Sequence, residues 1–177
     1  TERYSAASLF LSQAVTARIP VPLGRIEGCW KLYCPKYSDT HVDRYGYGQR
    51  TLNIFPIAGD TSGSMYTARL SIPPRSMSFT VLDFAAPPHA SFRSTALNTR
   101  AEGYKMDVMF LGNGYLNLRV DLHLLLMGKP MEAGGNHRMM EFIGVHEKAL
   151  VWNVAEDELE SFGRKVFGKY DGDSTQD

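Results

Sequence analysis

Three side chains on one stretch of the chain are of the right types to move protons together. Arg119, Asp121 and His123 alternate along Asn117-Leu118-Arg119-Val120-Asp121-Leu122-His123. In an extended strand such residues share a face, with neighbouring Cβ atoms about 7 Å apart. Asp121 is then placed to orient the His123 imidazole as a general-base pair, so these three are the catalytic candidates if the protein is an enzyme. A plainer reading competes. The opposite row, Leu116, Leu118, Val120, Leu122, Leu124 and Leu126, is entirely aliphatic. It predicts an interior face, with Asn117, Arg119, Asp121 and His123 meeting solvent or a partner. Burying that polar row would leave an Arg and an Asp in low dielectric.

The other histidines have no metal-ligand spacing. His41 and His89 fall in loops, and His137 and His146 flank a strand that carries Glu141, so they read as surface residues and no metal is predicted. The chain has no glycine-rich phosphate loop, Gly-x-Gly-x-x-Gly, Cys-x-x-Cys, His-Glu-x-x-His or Gly-x-Ser-x-Gly. Nucleotide, zinc and serine-hydrolase chemistry therefore find no support, and no cofactor is predicted.

The elements that would position such residues come from a chain of 177 residues, the length of one domain. It has 19 basic and 19 acidic residues, and 44% of it is hydrophobic. Disorder is excluded by that balance, and a nucleic-acid partner held by a globally basic surface is not expected. No apolar run approaches the length of a membrane span. The first residues, TERYSAASLFLSQAV, lack the basic start and long apolar stretch of a secretory signal. Cys29 and Cys34 lie five residues apart on one strand. Their side chains point to opposite faces, about 16 Å apart if the strand is extended, so both are predicted to be free thiols. An intracellular, cytoplasmic location is the expectation.

Residues 4–18, rich in Ala and Leu, predict a helix that Pro20 and Pro22 end. From residue 25 the period changes to two. Strands are predicted at 25–34, 50–57, 65–72, 76–84, 91–98 and 105–111, along the leucine row from 116 to 126, and at 139–145 and 149–154. Asn113-Gly114 marks a tight hairpin. Residues 156–170 predict a second helix, acidic first and basic last, with Leu159, Phe162, Val166 and Phe167 as its buried stripe. A polar tail fills 171–177. The fold expected is mainly β: an antiparallel barrel or sandwich over about 25–154, with an N-terminal and a C-terminal helix, in a single domain. Closure into a barrel is favoured because it removes exposed edges.

Tyr33, Tyr37, Tyr45 and Tyr47 gather around the 35–49 loop with Trp30 behind. They suit a pocket mouth or an interface as well as simple loop packing. The eight methionines suit irregular core filling or an adaptable cavity.

Short motifs connect these strands to known proteins. They are Gly28-x-Trp30-x-x-x-Cys34-Pro35, Leu52-x-Ile54, Met65-Tyr66 and Met140-Glu141-Phe142-x-Gly144. Over about residues 25–146 the chain resembles a group of small fungal proteins of unknown function with calycin-like β-barrels. The resemblance implies a fold and no activity.

The leading functional expectation is a calycin-like barrel that binds a small apolar ligand in its interior, lined by Trp30, Tyr66, Phe79, Phe110 and Phe142. A cofactor-independent isomerase or cyclase on the same barrel is the first alternative. A structural or assembly subunit, such as a viral matrix or capsid component, is the second, and a homo-oligomer suits it. A binder should show a partly apolar pocket of about 300 Å³ or more.

Overall fold

The computed structural model describes residues 2–34, 50–72, 79–99, 106–127 and 138–150. Eight antiparallel strands form one sheet. They are β1 (Gly28–Tyr33), β2 (Thr51–Pro56), β3 (Met65–Ser71), β4 (Phe79–Ala85), β5 (Thr95–Ala96), β6 (Met106–Gly112), β7 (Tyr115–Asp121) and β8 (Met139–His146). Their order is β4-β3-β2-β1-β8-β7-β6-β5. The outer strands nearly meet. A bridge pairs Val81 of β4 with Thr99, just beyond β5, and Leu82 N–H donates to Asn98 O at 2.7 Å. The sheet is thereby a nearly closed barrel, as expected, with its two outer strands joined at this bridge. The expected 91–98 strand is confined to Thr95–Ala96.

Register follows the hydrophobic alternation. Across β6, β7 and β8, Val108 faces Leu118, and Leu118 faces Phe142. Trp30 of β1 lies between Leu52 and His146. A one-residue slip would turn each of these side chains outward, so burial of one face fixes the pairing. Gly144 makes room in this layer: a Cβ there would lie 2.5 Å from Leu116 Cδ1. Between β6 and β7, Gly112, Asn113 and Gly114 all have positive φ, which makes the tight hairpin that Asn-Gly predicts.

Helix α1 (Glu2–Thr16) lies outside the barrel. Its buried stripe is Ala7, Leu11 and Ala14, at spacing i, i+4, i+7, while Leu9 and Val15 are exposed. Small residues let α1 approach the outer face of β6, β7 and β8. There Leu11 joins Leu111, Tyr115, Val21 and Ala90 in a second apolar cluster. The Tyr4 and Tyr115 rings meet edge-on at 6.3 Å.

The leucine row does not stay extended. β7 ends at Asp121, and Leu122–Met127 form a short helix, α2. Asp121 Oδ1 accepts the main-chain N–H of His123 at 3.0 Å, the bond of an N-cap residue. Leu122, Leu124 and Leu125 remain buried in the barrel core from α2. Residues Glu147–Leu150 form a 3-10 turn where the 149–154 strand was expected to begin. The rest of that strand, the 156–170 helix with its Leu159, Phe162, Val166 and Phe167 stripe, and Tyr37, Tyr45 and Tyr47 lie outside the described residues.

The turn between β2 and β3 is held by Asp60, whose carboxylate accepts hydrogen bonds from Ser62, Ser64 and Met65. The Ser62 hydroxyl, foremost, and these main-chain N–H groups pull the Asp60 carboxyl below its ordinary range.

Candidate functional site

The five aromatic residues expected to line a ligand cavity do face the barrel interior. Trp30, Phe110 and Phe142 are buried in its core, and Tyr66 and Phe79 are partly buried against that core. They contact other side chains in the core. Trp30 meets Phe110 edge-on at 6.3 Å, and Tyr66 leans on Phe84 at 6.2 Å.

One end of this interior is fastened by polar bonds. Trp30 Nε1–H donates to Ile26 O at 2.8 Å, and the His146 ring stands edge-on to Trp30 at 4.9 Å. His146 was expected at the surface, but it is buried. Its two ring nitrogens explain why that is tolerated. Nδ1 accepts Lys148 N–H at 3.1 Å, which leaves Nε2 to donate to Glu27 O at 2.7 Å. Gly28 completes the arrangement. Its φ of 117° lies where side chains are disfavoured, and a Cβ there would come within 2.9 Å of His146 Nε2. The signal was present in the sequence: Met140, Phe142, Gly144 and His146 continue one face of β8.

The proposed catalytic row is divided by the structure. Arg119 is half-exposed on the outer wall and forms two 2.9 Å bonds to Asp107, its cross-strand partner. The Asp107 carboxylate, by hydrogen bonding and charge, raises the Arg119 pKa. Asp121 is buried and caps α2, and His123 is carried onto α2 itself. His123 Nδ1 is buried with no hydrogen-bond partner among the described residues. The polar row is thus less exposed than expected. Asn117 is buried because α1 covers it, and its Nδ2 donates to the Tyr4 hydroxyl at 3.3 Å. Asp121 is buried because the chain turns into α2 directly after it.

Cys29 and Cys34 are both free thiols, Cys29 half-buried on the outer face and Cys34 buried on the inner one. Burial, foremost, and the Glu147 charge push the Cys29 thiol up. Among the described residues no three His, Cys, Asp or Glu side chains converge as a metal site, and no helix is long and apolar enough to cross a membrane.

A ligand-sized space lies outside the barrel, where α1 ends. This groove has a volume of about 680 Å³, within the roughly 300–1,000 Å³ of small-molecule sites. One wall is Leu11, Val15, Ile19 and Val21; the other is Pro87, Pro88 and Phe92. The floor is pinned. Val21 and Ala90 form an antiparallel bridge, and Ser91 N–H donates to Phe110 O at 3.0 Å. Large apolar side chains are left open to solvent at its rim: Val15 is 52% exposed, Ile19 61% and Phe92 43%.

The chain reaches this groove through a Schellman turn. Ile19 N–H donates to Ala14 O at 2.8 Å and Arg18 N–H to Val15 O at 3.1 Å. Arg18 therefore occupies the position usually given to glycine, with φ 57°. On the facing wall Ser91 Oγ accepts Arg93 N–H and shapes the turn that presents Phe92 and Arg93. Sequence reasoning passed over these residues, because Arg18 and Arg93 are far apart in the chain and belong to no motif.

No protein-family model, no curated protein and no solved structure matches this chain.

Proposed function

We propose that the protein binds a small, largely apolar molecule, and that its seat is the groove between the end of α1 and residues 87–95. The carrying observation is a pinned groove of about 680 Å³ whose apolar rim stays open to solvent. Exposed apolar surface of this kind gains free energy when a ligand covers it. The nearly closed barrel is the rigid support. Its interior aromatics belong to the buried core or pack against it, whereas the groove is already open to solvent. Kinship with calycin-like barrels is part of this reading, supported by Gly28-x-Trp30 standing at the start of β1 as an organising point of the barrel end.

Nuclear magnetic resonance titration of the full chain with 1-decanol tests the seat. Amide shifts are expected at Val15–Val21 and Ser91–Thr95. Shifts centred on Trp30, Phe110 and Phe142 would return the ligand to the interior, and a protein unperturbed by decanol would overturn the groove as a seat for an uncharged apolar molecule.

A further inference from the structure

Resting on that reading, we infer that the groove's ligand is an amphipathic anion: an apolar chain ending in a carboxylate or similar acidic group, held by Arg18 and Arg93. Both arginines line the groove, and none of the side chains lining it is acidic. Neither guanidinium has an ion-pair partner among the described residues. Two cations thus stand at the edge of an apolar cleft with no acidic side chain lining it and no ion-pair partner among the described residues. An anionic headgroup completes that arrangement, because charge-assisted bonds to guanidinium are the strong ones and the fork geometry suits a carboxylate.

The backbone supplies a second, independent observation. Arg18 sits at φ 57°, where a residue with a Cβ is strained and glycine is free. The Schellman turn would form more readily with glycine, so an arginine there is costly to the fold. Strain retained beside a binding groove is the pattern of a residue kept for what its side chain does. The apolar part of the ligand then lies along Val15, Ile19 and Phe92, whose exposure the barrel itself does not relieve. His89 and Ser94 add polar partners on the same wall as Arg93.

The test compares decanoate with 1-decanol on the full chain by isothermal titration calorimetry. The two probes share a chain length and differ in charge. Decanoate is expected to bind at least about tenfold tighter, and added salt should erode that preference. Arg18→Gly is expected to bring the two affinities within about threefold, while circular dichroism and thermal melting show a folded protein. Val15→Glu, at an exposed position, should weaken both probes. Equal binding of the two probes by the wild-type chain overturns the anionic ligand and leaves the groove reading standing. No binding of either probe, or binding that ignores Val15→Glu, overturns the groove reading itself. If Arg18→Gly preserves the decanoate preference, Arg18 is not the anion's partner and the inference fails.

Discussion

The barrel interior and the layer beneath α1 are built on the two faces of the same strands, yet they close differently. Inside, side chains from seven strands and α2 meet one another from every direction, and Leu70, Leu116, Leu118, Val120 and Phe142 have no exposure at all. Outside, among the described residues, helix α1 covers β6, β7 and β8 with a buried stripe of Ala7, Leu11 and Ala14. That stripe runs out at the Schellman turn, and the groove opens there. A sheet that curls on itself completes one core by geometry. Its outer face must be covered by whatever the chain has left, and incomplete cover leaves room for another molecule.

That contrast is testable first through stability. Leu118→Ala should cost about 3–5 kcal/mol, because closely packed neighbours on all sides leave a cavity that cannot collapse. Leu11→Ala removes an equally buried leucine, but it borders the groove, where side chains can relax inward. About 2–3 kcal/mol is expected there. Urea unfolding of both variants decides the matter. Equal losses would mean that the outer layer is as tightly determined as the interior.

A smaller effect separates two roles for Asp121. As the cap of α2 it should lose about 1–2 kcal/mol on change to Ala and much less on change to Asn, whose side-chain oxygen also caps well. Equal destabilisation by Asp121→Ala and Asp121→Asn in denaturant melts would mean that the carboxylate charge, not the cap, is what the fold uses.

How far the sequence is readable follows the same division. Alternation specified the inner face of nearly every strand, since period two is a direct consequence of the pleat. Asn113-Gly114 specified the hairpin. The end of β7 was harder. Leu122 and Leu124 continue the alternation of Leu116, Leu118 and Val120, and α2 keeps both leucines buried by a different route. Leu125, which breaks the alternation, and Asp121 immediately ahead of the helix were the available signs of a capped helix. The partner of α1 was not legible, because a stripe with two alanines carries little hydrophobic signal. The groove was still less so. It depends on a main-chain turn that places Arg18 at positive φ, and on a segment some seventy residues later. His146 shows the reverse limit: its face could be read from β8, but the two main-chain groups that satisfy its ring could not.

The smallest expected effect carries a sign that a purely structural Arg18 would not produce. Changing Arg18 to Gly relieves the left-handed strain, about 1–2 kcal/mol. It gives back roughly 0.5–1 kcal/mol through the freer unfolded chain. It also removes a positive charge from the C-terminal end of α1, which at an exposed site is about 0.3 kcal/mol. The balance is a gain of up to about 1 kcal/mol. Arg18→Ala keeps the strain and loses only the charge, so it should be slightly less stable than the wild type. Thermal melting should therefore rank Arg18→Gly highest, the wild type next and Arg18→Ala lowest. Decanoate binding should order them differently, with both variants weakened alike. If stability and binding instead fall together in the two variants, Arg18 acts by holding the turn, and the outer layer has been completed for the sake of the fold and not of a ligand.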